Sequence, residues 1–322
     1  MSKDISMKLN SRVVKGALLN NVVWILLLVS VIAIGTMEPL FFTVRIFANV
    51  LTQATVLGIL TLAISFAILL GDIDLSLVGT MVFTAAIGTL AMKGGLPWVL
   101  SILLILILGL IIGLINGVLI AKLKAVALIE TLAMQILLSG AVMAITQGRA
   151  IVDLPDNYKY IGQGKIGNIP FLPVVFIIVF FIVYVVWNKT AFGRSLFAVG
   201  GNASSAYVSG IKVDRIKIYA FGISGLLAGL AGFLLSGYMG AVTSTFGTSY
   251  GNNCLAASVI GGVSLSGGRG SVQGILGGVL LLTVIQVGLQ VLGISSFYVQ
   301  MVGGMMIFLA VLIDSIRLKV QG

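Results

Sequence analysis

The stretch that decides the fold is Val99–Ile115, which reads VLSILLILILGLIIGLI and contains no charged residue. A continuous apolar run of this kind is typical of a helix that crosses a lipid bilayer, which takes about 20 residues. Val22–Ile34 is a second such run. A membrane β-barrel would instead show segments of about ten residues with alternating hydrophobicity. The sequence therefore predicts an all-α, polytopic membrane protein.

The composition supports this class. Of the 322 residues, 59% are hydrophobic and 9% are charged, whereas a soluble domain carries about 25% charged residues. This excludes a soluble globule, a disordered tail and a disulfide scaffold. The chain has no His and one Cys, Cys254, which removes catalytic triads, His-based zinc sites and thiolate metal clusters, so we expect no metal site and no catalytic residues. The net charge of +10 indicates basic cytoplasmic loops rather than nucleic-acid binding.

Charged residues divide the apolar sequence into eight charge-free stretches. Six of them have the length of one span each, and the last two, of 51 and 44 residues, have room for two each. We therefore expect about ten transmembrane helices. The stretches are 16–37, 46–71, 75–92, 94–121, 131–148, 166–188, 218–268 and 270–313.

The distribution of Lys and Arg predicts the orientation. With the N-terminus inside, 14 of these residues fall in inner loops and 5 in outer loops, and cytoplasmic loops are the more basic ones. Both termini are therefore expected in the cytoplasm. We treat 1–322 as one transmembrane domain with an outer loop at about 149–170 and an inner loop at about 189–217.

The inner loop contains a predicted short helix at 203–209. Asn202 is a favourable N-cap residue, and Gly210 suits the position just beyond the C-cap. A capped helix on a basic loop outside the bilayer could dock a soluble partner, and a plain connecting turn is the alternative.

Two acidic residues, Asp72 and Asp74, follow the second span in the motif Gly71-Asp-Ile-Asp-Leu-Ser76. An acidic side chain at membrane depth costs about 2.5–3.5 kcal/mol, so it normally faces a cavity or a partner. The motif is either a broken helix that lines a solute pathway or a solvated cytoplasmic turn. Gly261–Ser266 repeats its G-x-x-x-L-S pattern, which is a weak sign of an internal repeat.

Amides within the predicted spans have two alternative roles, and glycines within them predict helix packing. Asn49 and Gln53 on the second span and Asn116 on the fourth could bind a hydroxylated solute, or they could join helices to each other. Glycines at a spacing of four predict close helix crossings. These are Gly109, Gly113 and Gly117, then Gly225 and Gly229, then Gly270, Gly274 and Gly278.

Three segments, Gly71–Ser76, Ala198–Ile211 and Val259–Ser271, together resemble the permease subunits of bacterial sugar-uptake ATP-binding-cassette (ABC) transporters. The tail Ala310–Asp314 matches as well. The type is that of the ribose and galactose permeases, and the resemblance covers nearly the whole chain. It implies a multi-pass, non-catalytic subunit of the bacterial inner membrane. This subunit would move a sugar or sugar-like solute into the cytoplasm.

The resemblance also implies partners and site residues. The partners are a second permease subunit, identical or different, two cytoplasmic ATPase domains that bind the ATP, an extracytoplasmic solute-binding protein and membrane lipid. The residues that carry over to the ATPase-coupling segment are Asn202, Ala206, Gly210 and Ile211. Those that match family positions in the membrane, and are the candidate pathway residues, are Asn49, Gln53, Asp72, Asp74 and Asn116.

A rival hypothesis is a self-sufficient secondary transporter. It would bind a coupling H⁺ or Na⁺ at Asp72, Asp74 or Glu130. Uptake without an ATPase would favour this class.

Overall fold

The computed structural model describes residues 22–167, 169–295, 297–306, 308 and 312. Helices dominate, and the described strands form one antiparallel hairpin, Lys165–Ile166 (β1) with Ile169–Pro170 (β2). The helices are α1 Val22–Met37, α2 Val44–Ile68, α3 Leu77–Lys93, α4 Trp98–Ala121, α5 Ala127–Thr146, α6 Asp156–Gln163, α7 Phe171–Lys189, α8 Ala191–Gly201, α9 Ala203–Val208, α10 Val213–Met239, α11 Tyr250–Ile260, α12 Val272–Val291 and α13 at 297–306, with one 3₁₀ turn at Pro39–Phe42.

Six of the described helices are long and apolar enough to cross a membrane, namely α2, α4, α5, α7, α10 and α12. This confirms the all-helical membrane class. The number of ten spans and the sides of the two termini stay predictions. Residues 1–21 and 313–322 lie outside the described residues.

One expected span has a different form. The 51-residue stretch 218–268 was expected to hold two spans, but α11 has 11 residues and rises only about 16 Å, half of a bilayer core. The preceding segment enters the bundle without helical structure. It starts at Val242, which pairs with Ile151, and reaches Gly247, which lies against the side chain of Met81 in α3. Non-helical backbone is tolerated at this depth only where protein or a cavity surrounds it.

The bundle has two distinct ends. At one end, which we call the α6 end, the Tyr158 hydroxyl of α6 and the Ser236 hydroxyl of α10 lie 2.6 Å apart. Burial raises the pKa of Tyr158 above its ordinary value, so its hydroxyl keeps its proton. At the opposite end, the α9 end, Lys124 pairs with Asp214 at 3.1 Å in a solvent-exposed ion pair.

Burial orders the helices from the centre outward. In the apolar stretch of α2, 89% of the residues are buried, whereas in that of α5 only 17% are buried. A helix that is apolar all round is expected at the centre of a bundle. Glycine is what lets the other helices approach closely, as predicted for α4 and α10.

The α4–α10 crossing brings backbone against backbone. A side chain at Gly113 would overlap the carbonyl of Phe221, and one at Gly109 would overlap the carbonyl of Gly225. The predicted crossing is therefore confirmed. The third glycine motif behaves in the same way, because Gly274 of α12 lies against the carbonyl of Gly261 at the end of α11.

Replacing Gly113 with alanine tests this crossing. The added methyl group has no room against Phe221, and overpacking of this kind costs about 1–3 kcal/mol. We expect a lower thermal unfolding midpoint by circular dichroism in detergent micelles. The matched control is Gly140→Ala on α5, where no atom lies within 4 Å of the new methyl group. Equal midpoints for the two variants would contradict the crossing.

Candidate functional site

A cavity of about 710 Å³, which we call the main cavity, lies between α2, α11, α12 and α13. Its wall includes Thr248 and Ser249 of the non-helical segment that precedes α11. Most of the side chains that line it carry an amide or a hydroxyl group, and none of them is charged. They are Gln53, Leu57, Thr248, Ser249, Tyr250, Asn252, Asn253, Thr283, Gln286, Gln290, Val299, Gln300 and Gly304.

The uncharged wall decides what the main cavity can bind. Each amide offers both donors and an acceptor, and each hydroxyl offers one donor and two lone pairs. Gln286 and Gln290 lie four residues apart on α12, so they share one helix face. Tyr250 adds an aromatic ring. Such a wall can form several hydrogen bonds with a neutral, hydroxyl-rich solute, but it offers no counter-ion to a charged one.

A smaller cavity of about 210 Å³ lies next to the main one, beside the α2–α3 turn, which comprises residues 69–76. The two cavities share Thr248 and Asn252. Asp74 of the turn and Gln135 of α5 line the smaller one. The two cavities are therefore adjacent, and the smaller one reaches the motif that begins at Gly71.

Asn49 and Gln53 lie at the boundary of two cavities. Gln53 lines the main cavity, and its Nε2 donates a hydrogen bond of 3.2 Å to Oδ1 of Asn49. Asn49 lines a separate cavity of about 420 Å³ at the α6 end, together with Arg45 and Lys165. The structure thus puts Gln53 at the main cavity and Asn49 one helical turn away.

Asp74 is buried rather than solvated, since only 1% of the residue is exposed. Its Oδ1 accepts from the backbone N–H and the hydroxyl of Ser76, at 3.0 and 2.6 Å. Its Oδ2 accepts from the hydroxyl of Ser224 on α10 at 2.9 Å. These three donors hold the carboxylate and tie the α2–α3 turn to α10.

Asn116 joins the same network from α4. Its Nδ2 donates to the hydroxyl of Ser76 at 2.8 Å, and the residue is fully buried. It does not line any of the three cavities described above. The contact supports the interhelical role over solute binding for this amide.

Asp72 has a different environment from Asp74. Its Oδ2 lies 2.6 Å from Nζ of Lys217 in α10, and both side chains are largely shielded from solvent. The two acids of the motif therefore differ: Asp74 is a hydrogen-bonded carboxylate and Asp72 an ion-paired one.

The four predicted coupling residues form the caps of α9. Oδ1 of Asn202 accepts from the backbone N–H of Ser205 at 2.8 Å, as an N-cap does. Gly210 has φ +86°, and the N–H of Ile211 closes the helix on the carbonyl of Ala206 at 3.0 Å. The short helix is confirmed at Ala203–Val208.

Most of the amides of the main cavity were missed by sequence reasoning. Asn252, Asn253, Gln286, Gln290 and Gln300 come from three separate helices. The sequence feature that could have identified them is the presence of amides within apolar, charge-free stretches. The clearest case is Gln286 and Gln290, whose i, i+4 spacing puts them on one face of a helix.

Comparisons with known proteins agree on one family. A family model described as the permease component of a branched-chain amino acid transport system matches residues 46–311. The ribose import permease of Bacillus subtilis (strain 168) is 39% identical, over 89% of this chain and 90% of its own length. No solved structure gives a significant match.

Further relatives carry the names of sugar permeases. The ribose import permease of Escherichia coli (strain K12) is 34% identical, over 90% of this chain and 92% of its own length. The galactose/methyl galactoside import permease of Haemophilus influenzae is 32% identical, over 92% and 94%. The chain therefore belongs to this permease family, and within it to the sugar-import ABC permeases of the ribose and galactose type.

Proposed function

We propose that this chain is the membrane-spanning subunit of an ABC importer that moves a neutral sugar or sugar-like solute through the main cavity. The observation that carries the choice of solute is the cavity wall, which has many amides and hydroxyls and, among the described residues, no charged side chain. An amino acid carries an ammonium and a carboxylate group at neutral pH, and burying either without a partner is costly. The wall therefore favours a sugar over the amino acid in the family description.

The proposed orientation puts the α9 end in the cytoplasm. Among the described residues, this end carries more basic side chains than the α6 end, which fits the positive-inside rule. They are Lys122, Lys124, Lys189, Arg194, Lys212, Arg215, Lys217 and Arg269, against Arg45, Lys93, Arg149, Lys159 and Lys165.

Two ATPase domains would dock at α9. Tyr207 and Val208 of this helix are 74% and 86% exposed, and an exposed apolar tip outside the bilayer suits a protein partner better than a plain turn. ATP would bind to these partners, and the permease itself would need no cofactor. The solute-binding protein would dock at the α6 end, near the loop 149–170.

A second permease subunit, identical or different, would cover α5. This helix is the least buried of the six candidate spans, yet its Gln135 lines the smaller cavity. A pathway wall that is otherwise open to lipid would be completed by a neighbouring subunit. We propose the same arrangement for both permease copies.

The rival ion-coupled mechanism finds less support. Asp72 is already paired with Lys217, and Asp74 already accepts three hydrogen bonds. Neither of these two carboxylates is left open for a coupling ion. Glu130, the third candidate, has a buried Oε2 without a hydrogen-bond partner among the described residues. The similarity to ABC import permeases favours ATP hydrolysis on the partner subunits as the energy source for alternating access.

Uptake by the reconstituted assembly tests the function. Proteoliposomes that contain the permease, its ATPase and its loaded binding protein should accumulate labelled ribose, galactose or a related sugar only with ATP inside. Ionophores should leave the rate unchanged, because no ion gradient supplies energy. Accumulation by vesicles that contain the permease alone would overturn the proposal.

Gln286→Leu tests the role of the main cavity. Loss of one hydrogen bond costs about 1–1.5 kcal/mol, which corresponds to about a fivefold to tenfold change. We expect the uptake rate at saturating loaded binding protein to fall by that factor, with normal assembly. The matched control is Gln273→Leu, an exposed position on the same helix outside the cavity wall. An equal loss of uptake in both variants would show that the main cavity is not part of the solute pathway.

Asp74→Asn separates the importer from its rival. The amide nitrogen cannot accept, so one donor of the network loses its partner at a cost of about 1–3 kcal/mol. We expect a lower unfolding midpoint, while the uptake that remains still depends on ATP. An ion-driven uptake that disappears in Asp72→Asn or Asp74→Asn, with assembly intact, would support the secondary transporter instead.

A further inference from the structure

The α2–α3 turn is contacted at two points by the inner loop 189–217. Gly200, the penultimate residue of α8, touches it from one side. Lys217, in the second turn of α10, touches it from the other. The α9 helix lies between these two contacts. A displacement of α9 therefore acts on one turn through two attachments.

The first attachment consists of backbone alone. A side chain at Gly200 would overlap the carbonyl oxygen of Leu69 and would lie 2.7 Å from the backbone nitrogen of Gly268. That same nitrogen donates a hydrogen bond of 2.9 Å to the carbonyl of Leu69. Gly267, with φ +82°, packs against the carbonyl of Gly200 and the nitrogen of Gly71. Three chain segments thus meet without a side chain between them.

The second attachment is the ion pair between Lys217 and Asp72. The Nζ–Oδ2 distance is 2.6 Å, and the side chains are 21% and 17% exposed. A shielded, charge-assisted contact of this length is stronger than an exposed one. The comparable pair at this end, Lys124 with Asp214, is 74% and 50% exposed.

The turn reaches the solute cavities in two directions. Asp74, in the same turn, lines the smaller cavity. Gly267 and Gly268 belong to the connection between α11 and α12, and both of these helices line the main cavity. The segments that contact Gly200 and Lys217 are therefore joined directly, along the chain, to residues that line the two cavities.

We propose that residues 69–72 of the α2–α3 turn receive the motion of the inner loop 189–217 and pass it to the cavity walls, with Gly200 and Lys217 as the positioning residues. This inference rests on the proposed ABC importer function. Segments in direct backbone contact move together, because close-packed interfaces shift as units instead of deforming continuously. A methyl group at Gly200 pushes the three segments apart, so that one can move without displacing the others.

The test compares Gly200→Ala with Gly201→Ala in the full assembly. At Gly201 a methyl group meets no atom within 4 Å, so this control should keep both uptake and ATP hydrolysis. For Gly200→Ala we expect ATP hydrolysis within about twofold of the parent protein and sugar transported per ATP reduced by about fivefold or more. A normal ratio in an assembled Gly200→Ala complex would overturn the inference.

The ion pair provides a second, independent variant. Lys217→Gln should lower the ratio of transport to hydrolysis, and the exchanged pair Asp72→Lys with Lys217→Asp should recover part of it. The matched control is Lys124→Gln, which removes the exposed pair and should leave the ratio unchanged. An equal effect of Lys124→Gln and Lys217→Gln would contradict the role of the turn.

A spectroscopic measurement covers the case in which Gly200→Ala does not assemble. Spin labels at Gly201→Cys and Ser266→Cys, in a Cys254→Ser background, report whether the two segments move together. We expect the same dipolar broadening with and without ATP, while a label pair at Gly201→Cys and Lys122→Cys changes. A change at the first pair during active transport would overturn the inference. An assembly that takes up no sugar would instead refute the proposed function.

Discussion

Close approach of backbone to backbone at glycine is the contact on which this architecture depends. The α4–α10 crossing, the α11–α12 crossing and the junction at Gly200 each place a glycine where a methyl group would overlap a carbonyl oxygen. Helices in lipid gain little from hydrophobic burial against each other, so van der Waals contact at short range must hold them together. Glycine allows that range at all three places.

The second constraint is the cost of polar groups inside the bilayer. The structure meets it in two ways. Asp74, Ser76, Ser224 and Asn116 are joined by hydrogen bonds in a buried network, which ties the α2–α3 turn to α4 and α10. The amides of the main cavity instead face an open space, and there the solute is proposed to complete their hydrogen bonds. Several amides and hydroxyls around one cavity can form hydrogen bonds with a solute, so this cavity is the candidate pathway.

The predictions from sequence succeeded where the signal was local. The caps of α9 at Asn202 and Gly210 follow from the preferences of two residues, and they were correct. The glycine crossings follow from a spacing of four on one helix, and they were correct as well. The half-length α11 was not anticipated, because the non-helical segment 241–249 is as free of charge as the spans around it. Charge marks the loops at the surface and gives no sign of an irregular segment inside the bundle.

The sequence by itself determined that this is a helical membrane protein and a permease of the sugar-import family, since apolar runs and ordered motifs are properties of the chain alone. Only the tertiary structure decided which amides share a cavity, that Asp72 pairs with Lys217, and that Gly200 meets Leu69 and Gly268. Those groups lie far apart in sequence. Their contacts arise from the way helices pack in three dimensions, which no local pattern of residues encodes.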